Sequence, residues 1–211
     1  MIQNFEHIIW DWNGTLLNDT ELSLNIINEL LKSKNLNTLS LADYRRIFDF
    51  PVEKYYETAG FNFNDYSFEV VGKLWMDEYE RRKGDAILFE ETVTVLNFIS
   101  SLGIDQSILS AYSLHTLIEM VNNHGLTKYF KYITGLDHIY ATSKLEIGKD
   151  LIKKINVPLQ KIVLIGDTLH DHDVAGELGI KCILIANGHQ SKERLLLSGD
   201  PVLNNISDLI A

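Results

Sequence analysis

The sequence predicts an α/β fold: a three-layer, Rossmann-like core with a parallel sheet, and an α-helical cap inserted into it. Three observations carry this. Apolar runs of strand length, such as Ile8-Ile9-Trp10 and Ile162-Val163-Leu164-Ile165, lack the polar alternation of a half-exposed strand. From Ile87 onward such runs alternate with helical periodicities, which implies a parallel sheet with helices on both faces. Between Leu17 and about Ala86 the periodicity is helical throughout, which marks an insertion. The expected division is an α/β core of residues 1–16 and 87–211 and a helical cap of residues 17–86.

The elements follow in order. Ile8-Ile9-Trp10 is a buried strand that ends on Asp11, and Asn13-Gly14 behind it is a turn pair because both residues tolerate positive φ. Leu22, Ile26, Ile27, Leu30 and Leu31 place a helix over Thr20 to Leu31, with Asn18 or Asp19 as its N-cap. Ser40-Leu41-Ala42-Asp43 resembles a capping box that opens a second helix. Pro51 fits the first turn of a third helix running to about Thr58. A fourth spans Asn64 to Arg82 on a stripe of Phe68, Val71, Leu74, Trp75 and Tyr79. Helices are then expected over Glu90–Ser101, Leu114–Asn123, Leu145–Ile155 and Asp171–Leu178, with Gly125 and Gly179 as stops. Strands are expected at Ser107–Ser110, Tyr132–Thr134, Lys161–Asp167 and Cys182–Ile185, and short helices at Ser191–Leu197 and Ile206–Ile210.

Composition bounds the function classes. The chain has 211 residues, 45% hydrophobic and 23% charged, which suits a soluble globular protein with a sizeable core. A formal net charge of -10 argues against a nucleic-acid surface. The single cysteine, Cys182, excludes an internal disulfide and reads as strand core. Glu6 near the start and the lack of a basic opening are unlike a signal peptide, and no apolar run reaches the length of a membrane span. A cytoplasmic protein with no nucleic-acid or membrane partner is the expectation.

Three strands end on functional atoms: Asp11, Ser110 and Asp167. In α/β sheets ligands bind at the carboxyl ends of the strands. If these strands are neighbours, two carboxylates converge, and their repulsion is relieved by a hard divalent ion with oxygen ligands such as Mg²⁺. The Ser110 hydroxyl and the Ala111 amide, taken as the entry to the next helix, suit a phosphate. Lys144, preceded by Thr142-Ser143, supplies the compensating charge. That chemistry is phosphoryl transfer.

These residues resemble the haloacid dehalogenase-like (HAD) phosphohydrolases. Asp11-Trp12-Asn13-Gly14-Thr15-Leu16 is similar to the family's first motif, Asp-x-Asp-Gly-Thr-Leu. Ser110, Lys144 and Gly166-Asp167-Thr168-Leu169-His170-Asp171 match the second, third and fourth, in family order. The helical insertion resembles the cap of the phosphoglycolate phosphatase-like branch. The resemblance implies a phosphatase acting on a small phosphorylated metabolite. Asp11 is then the nucleophile, and Ser110 and Lys144 hold the phosphoryl group. The Asp11 carboxylate, the Asn13 carbonyl and Asp167 bind Mg²⁺, with Asp171 as a further ligand or support. Lys149 is the rival to Lys144, which better matches the family's spacing to Gly166-Asp167.

Asn13 departs from the pattern, because the family's phosphatases carry there an Asp that serves as general acid and then base. Loss of a general acid costs about 10²–10⁴-fold in rate. The implied alternatives are a slow enzyme or one for good leaving groups, a phosphate-binding or regulatory protein, a phosphonate hydrolase using Lys54 or Lys73 for a Schiff base, or deamidation at Asn13-Gly14. Asn18 and Asp49 are lesser departures, at positions where relatives often have Asp and Gly. His170-Asp171-His172-Asp173 has the composition of a transition-metal cluster, but neighbours at a helix start point apart. His170 remains a candidate replacement proton donor. Trp12, Trp75, Tyr55 and Tyr56 read as packing residues, with an exposed member of the last three able to line the substrate pocket. Glu80-Arg81-Arg82-Lys83 reads as a solvated helix end.

Overall fold

In a computed structural model of the protein, residues 2–65, 67–136 and 143–211 are described, and Thr142 lies outside them. A 3-10 turn leads into β1 (His7–Trp10), followed by β2 (Leu17–Asn18) and four helices: α1 (Thr20–Ser33), α2 (Leu41–Ile47), α3 (Val52–Ala59) and α4 (Phe68–Arg82). Then come β3 (Ile87–Leu88), α5 (Thr92–Ser101), β4 (Asp105–Ser113), α6 (Leu114–Asn123) and β5 (Tyr132–Leu136). The chain closes with α7 (Lys144–Lys154), β6 (Ile162–Gly166), α8 (Leu169–Leu178), β7 (Lys181–Ile185), α9 (Lys192–Leu195) and β8 (Val202–Leu203).

Six strands form one parallel sheet in the order β5-β4-β1-β6-β7-β8. Its strands bury side chains on both faces, so the pleat sorts their apolar residues into two clusters. Ile8, Trp10, Ile108, Val163 and Ile165 join Val95, Leu96 and Leu117 of α5 and α6. Ile9, Leu109, Leu164 and Leu184 join Leu151 and Val174 of α7 and α8. The result is helix, sheet, helix. A third cluster, including Ile27, Tyr44, Tyr55, Tyr56 and Val71, is built from the four helices between β2 and β3. Helix α1 serves two clusters, with Leu22 and Ile26 in the sheet's and Ile27 and Leu31 in the helical block's own.

Several elements differ from the sequence expectation. Leu17–Asn18 and Ile87–Leu88 pair antiparallel where the helical block leaves and rejoins the core. Two-residue strands carry no periodicity, so neither these nor β8 can be read from sequence. Helix α4 starts at Phe68, since Asn62 turns the chain through bonds to Asn64 and Asp65. Strand β4 runs past Ser110 to Ser113, with a register irregularity beyond Leu109, so Ser110 and Ala111 do not open the next helix as expected. Asp19 occupies the N-cap position of α1 but makes no capping bond. Ser40 does cap α2, its Oγ accepting from the Asp43 amide at 3.1 Å.

Candidate active site

Register brings the strand ends together. Trp10 pairs with Ile108 on one side and Ile165 on the other, so Asp11, Ser110 and Asp167 emerge on the same edge of the sheet. From β1 the sheet grows both ways, and that divergence opens a crevice at the carboxyl ends of its strands. Gly14 makes the turn after Asp11 at φ 72°, and a Cβ there would lie 2.3 Å from Asp167 Oδ2. Only glycine fits this position, for both conformation and space.

Lys144 opens α7 and is buried, with its Nζ donating to Asp11 Oδ1 and to Asp171 Oδ1, each at 2.5 Å. Asp171 holds Thr168 in a capping box, accepting from its amide at 3.1 Å and its hydroxyl at 2.7 Å. Asp167 accepts from Thr15 Oγ1 at 3.1 Å and from the His189 amide at 2.6 Å. Ser110 is buried, and its Oγ accepts from the Tyr112 amide at 3.1 Å, while Ala111 is exposed on the cleft wall. Lys149 is instead exposed and paired with Glu146, so Lys144 takes the central place.

Oxygens of Asp11, Asp167 and Asp171 lie within 4.8 Å of one another. Burial, with the charges of Asp171 and Asp167 adding to it against the pull of Lys144, pushes the Asp11 carboxyl up to about 7. Burial likewise pushes Asp167 up to about 6, although His189 pulls the other way. Three crowded carboxylates beside one ammonium are short of positive charge, and hard oxygen donors suit a divalent cation. The donor set therefore fits such an ion.

The cleft is a cavity of about 360 Å³ between the sheet edge and the helical block, lined by residues of both. Tyr55, Tyr56 and Trp75 all line it. His170 packs its ring on Phe50 at 4.7 Å and lines the cleft, whereas His172 pairs with Asp200 at 2.6 Å. The His-Asp-His-Asp run is thus divided between two places and makes no zinc site. Burial lowers the His170 pKa, so its ring is chiefly neutral at pH 7 and a poor acid. Lys54 and Lys73 are exposed, Lys73 pairs with Asp77, and neither lines the cleft.

The sequence profile of the haloacid dehalogenase-like hydrolases matches residues 8–185, which is most of the chain. The chain belongs to this family. Among solved structures it resembles the haloacid dehalogenase-like family hydrolase of Streptococcus pneumoniae, at 20% identity over 98% of this chain and 97% of that one, with TM-score 0.83. A structure from Bacteroides fragilis, named as a haloacid dehalogenase-like hydrolase, aligns at 17% identity over 97% of this chain and 99% of that one, TM-score 0.81. One from Lactobacillus delbrueckii, named as a phosphoglycolate phosphatase, aligns at 16% identity over 97% and 96%, TM-score 0.78. No curated protein matches the chain.

This HAD-like hydrolase also has a polar network that sequence reading misses. Asp19 accepts from the Gly14 amide at 2.9 Å, Asn13 Nδ2 at 2.8 Å, Tyr79 Oη at 2.7 Å and His189 Nε2 at 3.2 Å. Asn13 Nδ2 also donates to Tyr79 Oη at 2.7 Å. Burial disfavours the His189 imidazolium, but Asp19 and then Asp167 outweigh it and push His189 up to about 9. Burial opposes ionisation of Asp19, yet His189 and the bonds from Tyr79 and Asn13 hold it below the ordinary carboxylate value. The pair is a buried ion pair at neutral pH. Its other nitrogen, Nδ1, donates to Tyr44 Oη at 2.9 Å. The one signal available in sequence was Asp19 itself, which reads equally well as an N-cap.

Among the described residues no helix is long and apolar enough to cross a membrane.

Proposed function

We propose that this HAD-like hydrolase is a phosphatase, cleaving a small organic phosphate monoester through an aspartyl-phosphate on Asp11. One observation carries the reading: Asp11, Ser110, Lys144 and Asp167, separated by up to 156 positions in sequence, line one cleft, with Lys144 Nζ 2.5 Å from the Asp11 carboxylate. In this reading the Asp11 carboxylate attacks phosphorus while Ser110 and Lys144 hold the equatorial oxygens. Mg²⁺ is the ion proposed for the acidic site. Asp11, Asp167 and the Asn13 carbonyl would hold it, and it would neutralise charge on the transferring group. Asp171 positions Lys144, with which it is already paired. The helical block, residues 17–86, acts as the cap whose closure excludes water and selects the substrate.

Asn13 favours a second reading, a phosphate-binding protein with weak turnover. Its amide donates to Asp19 and Tyr79 and has no proton to transfer to a leaving oxygen. Phosphonate hydrolysis has no support in the cleft, where Lys144 is the only lysine among the described lining residues. Deamidation requires attack by the Gly14 nitrogen, whose N–H is engaged by Leu17 O and Asp19 Oδ1, so Asn13 is read as intact.

The test is phosphate release from a panel of monoesters with and without Mg²⁺, alongside Asp11→Asn. Metal-dependent release that Asp11→Asn abolishes supports the phosphatase. Saturable binding of inorganic phosphate with no release from any ester supports the binding protein.

A further inference from the structure

The cleft has two features that bear on its substrate, and they agree. The first is its wall. Opposite the acidic site, Phe48, Phe50, Tyr55, Tyr56, Phe68 and Trp75 line the cavity. Phe50 and Met76, 36% and 41% exposed, contribute apolar surface to the lining. The aromatic rings already engage one another edge-on, Phe48 with Phe50 at 5.6 Å and with Tyr55 at 5.1 Å, so the wall is a built surface and not a set of loose side chains. The Tyr55 hydroxyl is buried with no hydrogen-bond partner, a polar group left open in that wall.

Charge is as telling as shape. Lys144 is held by two aspartates, and the His189 imidazolium by Asp19. The arginines nearby are already engaged: Arg45 by Gly188 O and Asn187 O, Arg194 by Phe48 O and the Asp49 carboxylate. Among the described residues no arginine lines the cleft. A carboxylate or second phosphate on the leaving group would meet rings where it needs a cation.

The second feature is Asn13. With no acid at that position, the departing oxygen leaves as an anion. A phenol, with a pKa of about 10 like the tyrosine side chain, leaves this way far more readily than an aliphatic alcohol. We infer that the substrate of this cleft is an aryl phosphate, a phosphate monoester of a phenol-type hydroxyl whose aryl group carries no charge of its own and whose ring lies against the Phe48–Trp75 wall.

This rests on the phosphatase reading. The Asp11 carboxylate oxygen forms a bond to phosphorus, and the bond between phosphorus and the aryl oxygen breaks with its electron pair going to that oxygen. The phenolate then takes a proton from solvent. Water attacks the phosphoryl group on Asp11, gives up a proton to solvent, and releases inorganic phosphate, restoring the carboxylate. Asn13 cannot act as base in this second step, so phosphoryl-Asp11 accumulates.

Two measurements test the inference with the full chain and Mg²⁺. In rapid mixing, phenyl phosphate should phosphorylate Asp11 at least about 10²-fold faster than glycerol phosphate or 2-phosphoglycolate, with a burst of phenol equal to the protein. In equilibrium titration, which needs no turnover, benzylphosphonate should bind about tenfold more tightly than ethylphosphonate, and Phe50→Ala should shrink that gap. Equal rates from phenyl and glycerol phosphates, or equal affinities for the two phosphonates, overturn the aryl class while the phosphatase reading stands. No phosphorylation of Asp11 by any ester removes the phosphatase reading itself.

Discussion

Asn13 sits between two demands. Its backbone is fixed by the turn after Asp11, and its amide bridges Asp19 and Tyr79. Asn13→Asp would exchange a donor to Asp19 for a second carboxylate, and like charges in a buried site raise each other's pKa. A carboxyl held partly protonated near pH 7 is what a general acid needs. Turnover of alkyl phosphates by Asn13→Asp should rise about 10²–10⁴-fold, with an alkaline limb absent from the parent, as read from the pH dependence of kcat/KM. The same change should lower stability by about 1–3 kcal/mol, because a buried acceptor on Asp19 loses its donor. Lys144→Met removes the only ammonium among three buried acids and should cost about 3–5 kcal/mol at pH 7, measured by urea unfolding, with much of the loss recovered by Mg²⁺. Asp11, Lys144 and Asp167 were legible as candidates in sequence because each follows a strand or opens a helix beside its own motif, and Ser110 because it closes the apolar run of β4, although that strand continues to Ser113. The Asp19–His189 pair was not, because its members are 170 positions apart and neither has a local pattern that demands the other.

At the scale of elements, α2 and the segment after it are tied to the loop that follows β7. Arg45 donates through Nε to Gly188 O at 2.9 Å and through Nη2 to Asn187 O at 2.8 Å, and its own carbonyl accepts from the Ser191 amide at 3.0 Å. Gln190 Nε2 donates to Phe48 O at 2.9 Å. These contacts join the helical block to the core on the side of the cleft where Phe48 and Phe50 stand. Arg45→Ala loses two charge-assisted bonds and should destabilise by about 1.5–3 kcal/mol. Amide exchange should accelerate first in residues 44–50, and KM should rise more than kcat falls. Uniform acceleration across the sheet would instead show that Arg45 supports the whole fold. On the opposite side, Glu80 accepts from Tyr112 Oη at 2.5 Å, so the supposedly solvated end of α4 is a second tie. Helices with strong caps and stripes were readable from sequence because their signals are local. Ties such as Arg45 and Glu80 were not, because an exposed charge and a bridging one look alike until the partner element is placed.

For the whole molecule, the buried charges give stability a pH dependence that can be signed group by group. Asp11 and Asp167 have folded pKa values pushed up to about 7 and about 6, above the ordinary 3.8. Between those limits the folded state binds more protons than the unfolded one, so these acids make the metal-free protein less stable as pH rises from about 4 to 7. His189 is also raised, from 6.5 to about 9. Its contribution is fully present below 6.5 and is lost as pH climbs through about 9. Asp19, depressed, acts oppositely, and its contribution is present above the ordinary carboxylate pKa and lost only in acid. His7, whose pKa burial lowers from 6.5 to about 4, and His170 and His124, which burial also lowers, add stability as pH rises toward 6.5 and offset much of the carboxylate loss. The metal-free Tm should therefore decline from pH 5 to pH 9 in two stages, a shallow one while these histidines oppose the carboxylates and a steeper one above about 6.5 as the His189 imidazolium loses its proton. A divalent ion competes with protons for Asp11 and Asp167, so the Tm increase on adding Mg²⁺ should be larger at pH 7.5 than at pH 5.5. His189→Gln should erase the second stage and leave the Mg²⁺ response in place. A Mg²⁺ response that is flat with pH would mean that the ion does not bind at the two raised acids. An alkaline stage that survives His189→Gln would mean that the imidazolium is not its source.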